Sequence, residues 1–249
     1  ITKYSHMVIH PEDIRYHLEK ALYMAVTGRP GPVWLDIPLD VQGATIETDT
    51  LRAYDPKENP EQEPKKIPQD LICKILDKLQ ESHRPVLFPG NGVRLAGAIK
   101  EFHQLVDILG IPVITGMSSV DAIEADHLCF VGRSGGTGTR PGNFALQNSD
   151  VLLSIGNRQG FTQTGFQYQD WARESYTILN DIDENELKKP SLHVSLPVVG
   201  DAGELIRGLL AEAEKRGADK GHPLFKGDEW RKQCLLWKEK YPVVTAKHY

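Results

Sequence analysis

The strongest constraint on the fold is a pair of short, unbroken apolar runs separated by 20 residues. Val151-Leu152-Leu153-Ser154-Ile155 stops at Gly156, and Tyr176-Thr177-Ile178-Leu179 stops at Asn180-Asp181-Ile182-Asp183. Runs of this length, ended by Gly or by acids and lacking polar alternation, predict strands buried on both faces, as in a parallel sheet. Ligands of open α/β sheets lie beyond the carboxyl ends of the strands. The polar residues after each run, Asn157-Arg158, Thr162-Gln163-Thr164-Gly165, Asp181 and Asp183, are therefore the first candidate site.

The rest of the chain repeats this rhythm. A helix is expected from His10-Pro11-Glu12-Asp13 through Ala25, with Ile14, Leu18, Ala21 and Leu22 on one face and a stop at Thr27-Gly28. Arg29-Pro30-Gly31-Pro32 turns into a buried strand, Val33-Trp34-Leu35-Asp36-Ile37-Pro38, which Pro38 ends. Residues 43–67 carry Pro56, Pro60 and Pro64 among Glu and Lys, and predict an extended, solvated linker between a domain over 1–42 and another over 68–218. Helices are expected over Gln69–Gln80, Val93–Leu109, Asn143–Asn148 and Ala202–Arg216. Strands are expected over Arg84–Phe88, Gly110–Ile114, Leu128–Val131 and Val194–Val199. Residues 219–249 hold a terminal helix with Trp230, Cys234, Trp237 and Tyr241 on one face. The expected architecture is α/β: a Rossmann-like (DHS-like) domain, a mostly parallel sheet with helices on both faces, preceded by a helix–strand remnant of another α/β domain.

Composition narrows the function. A formal charge of −5 and the absence of a basic stripe argue against nucleic acid. No apolar run has the length of a membrane span. Cys73, Cys129 and Cys234 form no CxxC pair, which favours a reducing, cytoplasmic setting over a disulfide framework or a zinc site. No residues have the spacing of a catalytic triad or a metal site. The chain opens on Ile1 rather than Met and is expected to be a piece of a longer protein.

Four stretches carry binding chemistry, each with two readings. Gly90-Asn91-Gly92, between a strand and a helix, is half of a dinucleotide fingerprint; it either brings amides to a phosphate or makes a tight βα turn. Gly135, Gly136 and Thr137 lie in the glycine-rich run 132–142, which either cradles a pyrophosphate, with Arg133 or Arg140 adding charge, or is a flexible loop. Arg158 would stack on a ring or bind phosphate, or be solvated. Asp181 and Asp183 would accept from ribose hydroxyls, or cap the following turn.

These pieces resemble a family. Gly28-Arg29-Pro30-Gly31-Pro32-Val33-Trp34-Leu35-Asp36-Ile37-Pro38-Leu39-Asp40-Val41-Gln42 is similar to the signature closing the pyrimidine-binding domain of thiamine-diphosphate enzymes. Arg84-Pro85-Val86-Leu87-Phe88-Pro89-Gly90-Asn91-Gly92 resembles the start of their central domain. Gly110-Ile111-Pro112-Val113, Ser149–Leu153, Asp181-Ile182-Asp183 and Val199-Gly200-Asp201 match later landmarks. Acetolactate synthases have the most similar pattern. The resemblance implies a parent that decarboxylates a 2-oxo acid such as pyruvate with thiamine diphosphate and Mg, works as a homo-oligomer (dimer or tetramer), and binds neither nucleic acid nor membrane. It implies that this chain, the tail of the first domain and all of the second, is inactive alone and carries neither catalytic nor metal residues. It also implies FAD or another adenine nucleotide in the central domain, contacted by Gly90, Asn91, Gly92, Gly135, Gly136, Thr137, Asn157, Arg158, Thr164, Gly165, Asp181 and Asp183. The flavin-contacting loop departs from the family at Gly160, Phe161 and Thr162, where two acids and an arginine are expected, and Gly135–Thr139 is altered too. These departures point to a parent that has lost flavin or exchanged it for another nucleotide.

Overall fold

The structure, a computed structural model, describes residues 1–59 and 65–245. Pro60 and Pro64 lie outside them, as do residues 246–249 at the end of the expected terminal segment. The chain divides into two compact units, residues 1–64 and 65–249.

In the first unit β1 (Tyr4–Met7), α1 (Ile14–Val26), β2 (Val33–Asp36) and α2 (Leu39–Gln42) follow in order, and β1 pairs parallel with β2. Neither β1 nor α2 is visible in the pattern. β2, expected to be buried, instead alternates half-buried with exposed residues, with Trp34 65% exposed, because it belongs to a two-stranded sheet. Part of the proline-rich segment is packed rather than extended. Tyr54 is buried, its amide donates to Glu19 Oε2 at 2.8 Å, and its ring lies against Tyr16 and Tyr23.

The second unit contains α3 (Gln69–Glu81), β3 (Pro85–Pro89), α4 (Gly92–Leu95), α5 (Ile99–Leu109), β4 (Val113–Thr115), β5 (Phe130–Arg133), α6 (Arg140–Asn148), β6 (Val151–Ile155), α7 (Phe161–Thr164), β7 (Tyr176–Asp181), β8 (Leu196–Val199), α8 (Ala202–Lys215) and α9 (Asp228–Lys240). Its six strands form one sheet in the order β5-β4-β3-β6-β7-β8, parallel at every pairing. The apolar runs of β3 and β6 are buried at every residue, as a sheet covered on both faces requires.

One face packs on α3, α5 and α8. Ile72, Leu76, Phe102, Leu105, Leu205 and Leu209 join Leu87, Leu153 and Val198 there. The other face packs on α6 and α9, with Phe88, Leu152 and Leu179 meeting Ala145, Trp171, Trp230 and Cys234. Each fully buried leucine contributes about 1.5–3 kcal/mol of transfer free energy. Local chemistry sets the helix ends. Asp201 caps α8 by accepting from the Glu204 amide at 3.0 Å, and Gly110 ends α5 in the left-handed region at φ 68°.

Two expected helices have different limits. The one expected over 93–109 breaks into α4 and α5 because Gly97 turns the chain at φ 65°. The one expected over 143–148 starts earlier, at Arg140, because Thr139 accepts from the Gly142 amide and Pro141 suits a first turn. Burial on α9's docking side pushes the Cys234 thiol up to about 12, so it behaves as a small apolar side chain.

Asn180 fastens the carboxyl ends of three strands. Its Oδ1 accepts from the Gly156 amide at 3.2 Å, and its Nδ2 donates to the carbonyls of Val198 (3.1 Å) and Gly200 (2.9 Å). Replacing it, Asn180→Ala, removes the side-chain donor to the Val198 and Gly200 carbonyls, while the Gly156 amide keeps the residue 180 carbonyl, and should cost about 2–3 kcal/mol. A thermal melt that shifts by less than one degree would contradict this role.

Candidate nucleotide shelf at the strand ends

The chain enters the sheet at β3, moves outward through β4 and β5, and returns to β6 on the other side of β3. The crevice beyond the carboxyl ends of β3 and β6 is thus the topological switch point, where such sheets take ligands. Gly90-Asn91-Gly92 follows β3 and Gly156-Asn157-Arg158 follows β6. These turns are in backbone contact. The Gly90 amide donates to Ile155 O at 2.8 Å and the Gly92 amide to Gly156 O at 2.9 Å. A Cβ on Gly90 would lie 2.2 Å from Gly156 O, and one on Gly92 would lie 2.7 Å from Gly156 Cα. Gly156 itself adopts φ 59°. Glycine is thus required here because one turn presses on the other, and both amides are already engaged. Asn91 faces its own helical turn, its Oδ1 accepting from Arg94 Nη1 at 2.9 Å.

The glycine-rich run is folded too. The Gly135 amide donates to Asn143 Oδ1 (2.9 Å), the Gly136 amide to Thr162 O (3.0 Å), and the Gly138 amide to Gly135 O (2.9 Å). Gly138 and Gly142 lie against the backbone of Arg133, where a Cβ would meet its carbonyl at 2.6 and 2.2 Å. Thr137 is exposed at the tip. Arg140 stacks on the Tyr241 ring, 5.6 Å from its centroid.

The loop after β6 runs between these two places. Gln159 is 2% exposed, adopts φ 52°, and donates from Nε2 to Ser154 Oγ at 2.9 Å. Gln163 reaches the Ser134 carbonyl at 3.3 Å and lies over Gly116 at the end of β4, where a Cβ would sit 3.0 Å from its Nε2. Thr164 and Gly165 close the single turn of α7, with the Gly165 amide donating to Phe161 O at 2.7 Å. Phe161 and Phe166 are exposed, with ring centroids 5.9 Å apart.

On the other side, Arg158 Nε lies 2.7 Å from Glu186 Oε1, and Lys189 Nζ lies 2.5 Å from Glu186 Oε2 and 2.6 Å from Arg158 O. Asp181 Oδ1 accepts from the Asp183 amide and Asp183 Oδ1 from the Asn185 amide, both at 2.9 Å, so both acids organise the turn after β7. Lys188 and Lys65 flank Glu184 at 2.6 and 2.7 Å and hold its carboxyl at about 2. Asn157 Nδ2, Gln159 Oε1 and Thr115 Oγ1 are buried without a hydrogen-bond partner.

The structure therefore brings Gly90, Asn91, Gly92, Asn157, Arg158, Asp181 and Asp183 to one end of the sheet, with Gly135, Gly136, Thr137, Thr164 and Gly165 on the loops beside them. Sequence reasoning included Gln163 in the polar run 162–165 but missed Glu186, Lys189 and Asn180. Only the acid-and-lysine run Asp183–Lys189 gave any signal of the ion pairs.

Residues 72–209 match the family described as thiamine pyrophosphate enzyme, central domain. The chain is 36% identical over 212 residues to a probable acetolactate synthase large subunit of Methanocaldococcus jannaschii, covering 85% of this chain and 36% of that protein. It is 35% identical over 221 residues to the acetolactate synthase large subunit of Corynebacterium glutamicum, covering 88% and 34%. With the acetolactate synthase isozyme 3 large subunit of Escherichia coli it shares 27% over 255 residues, covering 100% and 42%. A parallel sheet with a polar switch point, matched to that family over more than half of the chain, places this protein among the thiamine pyrophosphate enzymes, of which it carries the central domain. The chain spans about a third of the length of the first two relatives.

An adenine dinucleotide such as FAD does not fit the contacts at this shelf. The amides of Gly90, Gly92, Gly135 and Gly136 already have acceptors, and Arg158 faces a carboxylate. Among the described residues no group of three or more His, Cys, Asp or Glu side chains is placed to hold a metal ion.

The glycine contacts give a paired test. Gly90→Ala forces the two turns apart and should cost more than about 2 kcal/mol, whereas Gly160→Ala, with open space around it at φ −70°, should change stability by less than about 0.5 kcal/mol. Equal denaturation midpoints for the two variants would refute the close-approach account.

Proposed function

We propose that this chain is the framework portion of an acetolactate-synthase-like enzyme. The parent decarboxylates a 2-oxo acid such as pyruvate and transfers the two-carbon unit to an acceptor. The similarity to three acetolactate synthase large subunits carries this reading. Thiamine diphosphate supplies the carbanion chemistry, and the protein supplies binding and orientation. In this proposal thiamine diphosphate and Mg are held by segments outside the residues described, and the present sheet spaces and aligns them. The parent works in the cytoplasm as a homo-oligomer, a dimer or tetramer.

A second reading is favoured by the engaged amides and the Arg158–Glu186 pair. Here the parent is a non-flavin decarboxylase of the same superfamily, and the central domain is a structural module, as those contacts favour, or an adenine-nucleotide-binding one. Product analysis separates the two. The full-length protein with pyruvate, thiamine diphosphate and Mg should yield acetolactate; acetaldehyde would favour the second reading. No thiamine-dependent release of carbon dioxide from any 2-oxo acid would remove both. Titrating thiamine diphosphate into the isolated 249-residue chain should give no saturable heat.

A further inference from the structure

We infer that the shelf at the carboxyl ends of the strands is occupied by the chain's own groups, with the Glu186 carboxylate standing where a ligand's phosphate would meet Arg158, so that no dinucleotide binds there. This goes beyond the reaction proposed above and rests only on the contacts at the shelf.

Residues 157–165 form a strap fixed at both ends. On the β4–β5 side, Thr162 O accepts from the Gly136 amide at 3.0 Å and the Gln163 amide group reaches Ser134 over Gly116. A Cβ on Gly135 would lie 2.7 Å from Thr162 O, so strap and glycine loop are in van der Waals contact with no layer between them. On the β7 side, the strap is tied by Arg158 to Glu186 and by Lys189 to the Arg158 carbonyl. A dinucleotide laid across the strand ends would have to part both ties.

Electrostatics oppose a phosphate as well. The turn after β7 carries Asp181, Asp183, Glu184 and Glu186 within six residues. The cations beside it are committed: Arg158 and Lys189 lie 2.7 and 2.5 Å from Glu186, and Lys65 and Lys188 lie 2.7 and 2.6 Å from Glu184. The Glu186 side chain is only 9% exposed, so a phosphate taking Arg158 would leave a buried carboxylate short of one partner and beside a second anion. The Arg158 side chain is 69% exposed, so this pair is half open to solvent and the carboxylate keeps Lys189; removing one cation from the buried carboxylate is still unfavourable. The buried atoms left over at the strand ends, Thr115 Oγ1, Asn157 Nδ2 and Gln159 Oε1, are polar groups of the kind an ordered water satisfies.

The test uses the full-length protein, purified with added FAD, desalted, and titrated by calorimetry with FAD and with ADP. No retained flavin absorbance and no saturable heat are expected. Stoichiometric flavin, or saturable binding of either ligand, would overturn the inference. Glu186→Gln removes the internal anion and should bind inorganic pyrophosphate at least tenfold more tightly than the wild type, a gain that the double variant with Arg158→Ala should lose. Unchanged pyrophosphate affinity in a folded Glu186→Gln protein would also overturn it. If that variant does not fold, the wild-type titrations decide alone. Thiamine-dependent decarboxylation is measured on the same preparation: its loss bears on the proposed reaction, and flavin binding bears on this inference.

Discussion

The contact between the turn after β3 and the turn after β6 is the constraint on which the rest of the second unit depends. These strands are neighbours because the chain reverses its direction of travel across the sheet there, and their ends converge on the same space. The last ladder position pairs Pro89 with Ile155, and the Gly90 amide extends the ladder by one bond. From this point a chain of hydrogen bonds spreads both ways. Ser119 donates to Pro89 O at 2.7 Å and accepts from the Gly116 amide, which ties in the end of β4. Gly156 donates to Asn180, which in turn binds the ends of β7 and β8. Every amide satisfied in this way is one that water or a ligand would otherwise have to satisfy.

That economy explains why glycine is abundant without being a phosphate signature. At Gly90, Gly92 and Gly142 the missing side chain permits backbone to touch backbone. A βα turn built for a dinucleotide uses the same residue for a different purpose: it leaves the amides pointing into an open crevice. Which purpose applies depends on the segment that lies opposite, and that segment is more than sixty residues away in the chain.

The sequence made the sheet legible and the shelf only half so. The uniform apolar runs at β3, β6 and β7 could be read directly, because burial on both faces leaves no alternation to confuse them. Helices α3 and α8 were equally plain through their spacing and flanking residues. The break at Gly97 was not, since a single glycine inside a helical pattern is ordinarily tolerated. β1 is invisible because its residues alternate half-buried with exposed over only four positions. The location of the site followed from the strand ends, but its state did not. The Arg158–Glu186–Lys189 cluster joins two loops across β6 and β7, and the left-handed Gln159 belongs to a residue type that gives no warning of it. Asp181 and Asp183 were open between ribose contacts and turn capping; their carboxylates accept from backbone amides two residues ahead.

Amide hydrogen exchange at single-residue resolution tests the central claim most directly. If the strand-end turns satisfy one another, the amides of Gly90, Gly92, Gly136 and Gly156 exchange slowly, with protection approaching that of the β3 and β6 core. Exchange of these four amides at the rate of an unstructured chain, while the core strands stay protected, would contradict it and would restore an open crevice at the switch point.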